Sequence, residues 1–242
     1  MKGYSPPYGI ASLAGLAVFA LYVVTLAPTT AFWDTSEYIA TAHILGIPHP
    51  PGNPLFVVLA RVWSVLLAPT GLSVAVRINL LAAATSAMAS GLLFLVAHRI
   101  LMPILGKGRR PLAGAAAATL VGATTFTVWN QSNVNEKVYT LSVLVICAVT
   151  WLAIRWRDRR KDPGSERYLL AALFLMVLGS TNHLMSVLPL PALAALVLLT
   201  QPSVIVRPRV LSRAVLLVVL GVSFNFFLPI RAEQDPTINE GD

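Results

Sequence analysis

Apolar and polar positions alternate along this chain by whole segments rather than by single residues. Long runs of Leu, Val, Ala, Ile and Phe occupy residues 10–27, 73–97, 112–129, 138–154, 168–181, 184–199 and 214–230, with short polar connections between them. A helix crossing about 30 Å of hydrocarbon at about 1.5 Å per residue needs roughly 17–25 apolar residues. The pattern therefore predicts an all-α polytopic membrane protein, a helical bundle of about seven transmembrane helices. Residues 54–68 are apolar but short and contain Arg61, which suits an interfacial or re-entrant helix. The first run also fits a signal peptide, but its positive leader is Lys2 alone and many apolar runs follow, so an uncleaved helix is predicted. Residues 168–199 drawn as one helix would reach about 48 Å, too long for one span. A hairpin turning at Ser180-Thr181-Asn182-His183 resolves this.

Composition supports the membrane reading. The 242 residues are 56% hydrophobic and 12% charged, and the mean hydropathy is +0.73. Soluble domains carry about 25% charge, so a water-soluble globule and a disordered chain are both disfavoured. Cys147, the single cysteine, excludes a disulfide scaffold.

The formal charge of +8 would suggest nucleic acid in a soluble protein. Here it orients helices. Lys2 and the connections 98–111, 155–167 and 201–213 hold fourteen of the eighteen basic residues, and the positive-inside rule places them in the cytoplasm. The N-terminus is then inside, and residues 28–72 form the first outer loop. The outer face carries Asp34, Glu37, Glu136, Glu233, Asp235, Glu240 and Asp242 against Arg61, Arg77, Lys137 and Arg231, so it is acidic. Any chemistry is expected there.

Asp34 and Glu37 stand three apart, on one face of a helix. They read either as paired carboxylates for acid–base work or as a variant of the capping box. The segment Pro48-His49-Pro50-Pro51-Gly52-Asn53-Pro54 is too proline-rich to be helical. It either holds His49 beside the carboxylates or simply breaks two interfacial helices. His43 is read as structural. Glu136 and Lys137 make a solvated pair or site groups, Asn182 and His183 a tight turn or site groups, and Arg231 a helix anchor or a phosphate grip. No Walker loop, dinucleotide glycine fingerprint or Cys/His metal spacing is present, so no cofactor or metal is expected. Charges deep in the spans are scarce, which argues against an ion-coupled transporter.

Four stretches carry a resemblance that covers nearly the whole chain in order: Phe32-Trp33-Asp34-Thr35-Ser36-Glu37-Tyr38-Ile39, His49-Pro50-Pro51-Gly52-Asn53-Pro54-Leu55-Phe56, Asn135-Glu136-Lys137-Val138-Tyr139-Thr140, and Leu228-Pro229-Ile230-Arg231-Ala232 with Ile238-Asn239-Glu240-Gly241-Asp242. The chain resembles the bacterial multi-pass family called domain of unknown function 2723. An animal relative of that family is the endoplasmic-reticulum O-mannosyltransferase that modifies plexin- and Met-type receptors. The resemblance implies a GT-C-type membrane glycosyltransferase in the bacterial inner membrane. It would move a sugar such as mannose from a polyprenyl-phosphate donor to a hydroxyl acceptor, protein Ser/Thr among them, outside the cytoplasm and with inversion. It implies Asp34 as base and Glu37 as its site partner. Arg231, then Arg61, Arg77 and Lys137, would contact phosphate, and His49, Glu136, Asn182 and His183 would shape the sugar site. Two other readings stay open, a lipid-linked-sugar transporter or flippase and a non-enzymatic scaffold. Family members are generally longer, so residues 1–242 are read as one transmembrane domain, complete or the N-terminal part of a longer protein.

Overall fold

The computed structural model describes residues 4–31, 33–135 and 138–241. It is an all-α membrane protein, and every predicted apolar run is helical. The elements are α1 (Tyr8–Val24), α2 (Thr35–Ile44), α3 (Pro54–Leu66), α4 (Val74–Leu105), α5 (Arg109–Thr124), α6 (Phe126–Asn133), α7 (Tyr139–Arg159), α8 (Glu166–Ser180), α9 (Leu190–Thr200), α10 (Pro208–Val222) and α11 (Phe227–Ala232). Single 3-10 turns precede α9 and join α10 to α11. Helices α4, α7 and α10–α11 are each long and apolar enough to cross a membrane, and the bent pair α5–α6 makes a fourth. Helix α1, helix α3 and the stretch Leu184–Thr200 are shorter apolar helices, so three or four helices among the described residues are long and apolar enough to span, where about seven were expected.

Helix α4 is the central post, with α1, α5 and α7 packed along it. Small residues make the α1 crossing close. A Cβ on Gly15 would lie 3.0 Å from the Ala87 carbonyl, and one on Gly91 would lie 3.2 Å from that of Ala11. Helix α8 packs on α7, and α10 on α8.

Two boundaries depart from the sequence reading. Helix α4 continues past residue 97 to Leu105, carrying Pro103 in its last turn. His98 and Arg99 are therefore helical and buried. Arg99 donates to both carboxylate oxygens of Asp158 on α7, at 2.8 and 2.7 Å, and its guanidinium lies 5.2 Å from the Tyr4 ring centroid. That paired, stacked charge lets the helix run on where the sequence suggested a basic loop. Second, the run 112–129 is bent by 67° between α5 and α6. Thr125 is extended there. The hydroxyls of Thr124 and Thr125 donate back to the carbonyls of Leu120 (2.8 Å) and Gly122 (2.9 Å), a local competition with the helical ladder.

At the opposite end from Arg99, side-chain amides tie the loops to the bundle. Asn79 of α4 donates to the carbonyls of Ala27 (3.0 Å) and Thr29 (3.1 Å) and accepts from the Asn135 amide (2.9 Å). The predicted turn at residues 180–183 is present. Helices α2 and α3 lie over this end, burying Tyr38, Ile39, Phe56 and Val57 against Ile78 and Leu81 of α4. The 13 residues of α3 reach about 20 Å, too short to cross.

Candidate functional site

The site is built by α2 and the proline-rich segment that follows it. Asp34 stands at the N-cap of α2, where its backbone carbonyl accepts from the Tyr38 amide at 3.0 Å and its side chain makes no cap hydrogen bond to the helix. Helix α2 ends on Leu45, in a left-handed conformation. The chain then runs through Pro48, His49, the cis Pro50–Pro51 bond and Gly52 to Asn53, the N-cap of α3. Gly52 has φ +79°, and a Cβ there would lie 2.7 Å from the Leu228 side chain, so close approach and backbone conformation both require glycine.

Three anchors hold this loop. Asn53 accepts from the Tyr38 hydroxyl at 3.1 Å and donates to the Asn182 carbonyl at 2.5 Å. Ile47 forms a parallel bridge with Asn239: its amide donates to the Ile238 carbonyl (2.9 Å), and its carbonyl accepts from the Glu240 amide (3.0 Å). The third anchor is Glu37. Its Oε1 accepts from the His49 backbone amide at 2.5 Å, and its Oε2 lies 2.8 Å from His49 Nδ1. The capping-box alternative would have turned Glu37 back toward Asp34; it reaches forward twelve residues instead.

Asp34, Glu37 and His49 converge, with one ligand-type atom from each within 4.8 Å of the others. Such a trio is of the kind that could hold a cation. The sequence showed no metal spacing because the third member lies across a loop whose course the spacing does not give. As arranged, Nδ1 and Oε2 of the trio already satisfy each other, so a cation would have to displace the proton between them. Tyr38 packs against His49, with ring centroids 5.6 Å apart. Burial, then the charges of Glu37 and Asp34, push its phenol far above the usual tyrosine range. It therefore stays protonated and keeps donating to Asn53.

The arginines do something else. Arg231 donates from Nε to the Leu45 carbonyl (2.6 Å), from Nη2 to the Ile44 carbonyl (3.2 Å) and from Nη1 to Gln234 (2.7 Å). Arg61 donates to the His43 carbonyl. Arg77 donates to the carbonyls of Leu72 (2.8 Å) and Ser64 (3.0 Å). All three thus tie down backbone carbonyls, Arg61 and Arg231 at the C-terminal end of α2 and Arg77 in the last turn of α3 and just before α4.

Asn182 is fully buried and donates to the Val138 carbonyl and Ser142 Oγ, both at 2.9 Å. It is a loop anchor rather than a sugar contact. His183 Nδ1 accepts from the Met185 amide at 3.1 Å, which places its neutral-ring proton on Nε2, and its ring meets Tyr139 edge-on at 5.2 Å. Tyr139 also lines an apolar cavity of about 350 Å³ between α4, α6 and α7. Glu136 and Lys137 lie outside the described residues. Tyr38, Asn53 and Tyr139 were missed as site residues. Asn53 alone left a signal, an amide placed directly before the proline that starts a helix.

Comparison with known proteins gives a family. The model of the protein O-mannosyl-transferase TMEM260 N-terminal domain matches residues 34–205. The chain is 32% identical over 161 residues to the protein O-mannosyl-transferase TMEM260 of Mus musculus, covering 65% of this chain and 20% of that protein. It is 24% identical over 214 residues to the protein O-mannosyl-transferase tmem260 of Dictyostelium discoideum, covering 84% of this chain and 25% of that protein. It thus spans a fifth to a quarter of the length of these curated relatives. No solved structure matches.

Proposed function

The chain belongs to the TMEM260 N-terminal domain family of protein O-mannosyl-transferases, and from that premise we propose that it is the site-bearing part of a GT-C-type membrane mannosyltransferase. The donor in this reading is a polyprenyl-phosphate-linked mannose. The acceptor is a hydroxyl, with protein Ser/Thr as the first candidate, and transfer takes place on the extracytoplasmic side, which in a bacterium is the outer face of the inner membrane. The observation that carries the reading is the meeting of Asp34, Glu37 and His49 within 4.8 Å on a loop with three anchors, at the end of the bundle opposite the buried Arg99–Asp158 pair.

In the reaction the acceptor oxygen attacks the anomeric carbon from the face opposite the phosphate, so the carbon inverts. The Asp34 carboxylate takes the hydroxyl proton as the new bond forms. The apolar cavity beside Tyr139 is where the prenyl chain of the donor would lie, with the sugar phosphate toward His183. The basic contact to the departing phosphate is drawn from Arg231, Arg61, Arg77 and Lys137, the first three of which also donate to backbone carbonyls.

The test is a reconstituted assay with radiolabelled polyprenyl-phosphate mannose and a Ser/Thr peptide. Asp34→Asn should lower transfer by about 10²–10⁴-fold, the usual worth of a positioned base, while circular dichroism and melting stay unchanged. Full activity in Asp34→Asn would remove Asp34 as base. Translocation of the lipid-linked sugar with no glycosyl product would favour a transporter.

A further inference from the structure

Asp34 and Glu37 look like a matched pair of carboxylates, but their surroundings differ. Both oxygens of Glu37 are taken by one residue, through the His49 amide (2.5 Å) and the His49 ring Nδ1 (2.8 Å). We propose that Glu37 is a positioning residue that acts through His49, and that His49 is the proton acceptor that resets Asp34 after each transfer. This rests on the reading of Asp34 as base.

The first link is the tautomer. A carboxylate oxygen accepts, so the Glu37 contact places the proton of the neutral ring on Nδ1 and leaves Nε2 as a lone pair. The second grip, on the backbone amide of the same residue, keeps the ring from swinging away. Tyr38 adds a wall on another side, its ring tilted 56° to that of His49. Proline-rich backbone on either side of His49 removes most of the remaining freedom.

The second link is reach. One of the two His49 ring nitrogens lies within 4.8 Å of an Asp34 oxygen, which brings the ring within about one water of that carboxylate. The His49 side chain is 41% exposed against 26% for Glu37, so it is the way out to solvent. Residues 28–60 contain no Lys or Arg, and a protonated His49 would face the carboxylates of Asp34 and Glu37.

The steps balance. The acceptor O–H bond breaks as its oxygen bonds to the anomeric carbon, and the carbon–oxygen bond to phosphate breaks with its electron pair leaving on the phosphate. The proton goes to an Asp34 oxygen, then through water to the free nitrogen of the His49 ring, and then to bulk. Glu37 offsets the imidazolium charge without taking the proton, as the buried aspartate of a serine-protease triad does.

Two measurements test the proposal on the full chain. In detergent, ¹⁵N-histidine NMR should show His49 as the Nδ1–H tautomer, and as the Nε2–H tautomer in Glu37→Gln, whose amide presents a donor to Nδ1. In the transfer assay, Glu37→Gln and His49→Ala should each lower kcat at least tenfold with KM little changed. The double variant should fall less than twofold below His49→Ala. Added imidazole should restore transfer several-fold to His49→Ala and not to Asp34→Asn; this arm holds even if Glu37→Gln loosens the loop. Losses that multiply in the double variant, an Nε2–H tautomer in the wild type, or no rescue would overturn the proposal and leave the functional reading standing. A wild-type chain with no mannosyl transfer would overturn both.

Discussion

Asn182 is the perturbation whose outcome the structure specifies most closely. Its side chain is fully buried. Nδ2 donates to the Val138 carbonyl and to Ser142 Oγ, while Oδ1 has no partner. Asn182→Ala removes both donations. Ser142 keeps its bond from Ser186 at 3.1 Å, but the Val138 carbonyl loses the side-chain donor that meets it. A buried polar group left unsatisfied costs about 1–3 kcal/mol, and loss of the unpartnered Oδ1 returns part of that. The net expected loss is about 1–2 kcal/mol, or about 2–8 °C in Tm at the roughly 2–4 °C per kcal/mol of a chain this size. Asn182→Asp should do worse, since it turns a carboxylate oxygen toward the same two acceptors. Turnover per folded molecule should fall less than stability, because Asn53 reaches the Asn182 backbone carbonyl, which both variants keep. Thermal unfolding in detergent, followed by tryptophan fluorescence, reads the first effect and the transfer assay the second. An Asn182→Ala variant melting within 1 °C of wild type would refute the idea that this amide holds the two loops together.

Asn53→Ala should lower activity and stability together, since it frees the loop from both Tyr38 and Asn182; a purely thermal effect would count against the anchor. Arg231→Ala should cost about 1–2 kcal/mol by uncapping the Ile44 and Leu45 carbonyls, with the donor KM unchanged, whereas a several-fold rise in that KM would restore Arg231 as a phosphate contact. Asp158→Asn strips the charge partner from buried Arg99, so it should cost about 3–5 kcal/mol and leave the activity of the folded fraction near wild type. Burial pushes the Tyr4 phenol up to about 12, Arg99 opposing. A raised tyrosine stabilises the fold below its ordinary value near 10 and loses that contribution as pH rises toward 12, so Tyr4→Phe should flatten the alkaline limb of a stability–pH curve. Chelator should leave transfer unchanged, because Glu37 and His49 satisfy each other; loss of activity restored by manganese would mean that the trio carries a cation.

Helix type could be read from the chain because an apolar helix is specified locally, by a run of apolar side chains. The loop at residues 48–54 was legible for a similar reason, since proline fixes its own backbone. What stayed hidden depended on partners far along the chain. Arg99 reads as a loop charge until Asp158, fifty-nine residues on, is placed beside it. Glu37 reads as half of a pair with Asp34 until the loop returns His49 to it. Arg61, Arg77 and Arg231 read as anion contacts because their charge is visible in sequence, whereas the carbonyls at helix ends that need donors are not. Asn53 read as part of a proline-rich break and Asn182 as a turn or sugar-site group, while Asn79 lay unremarked inside an apolar run. Their burial is a property of the bundle end, and amides there serve two or three strands of chain at once.

The bridge between Ile47 and Asn239 also has a consequence in time. A chain is made from its N-terminus at about 5–20 residues per second, so the loop carrying His49 is complete well before its partner strand exists. The lag is about 10–40 s at those rates. During that interval α2 and α3 can already pack on α4, yet the histidine loop lacks one of its three anchors. Assembly of the site is thus expected to wait for the arrival of residues 238–240. A ribosome stalled before that point should display a bundle that is inserted and helical, with a histidine loop still open to protease.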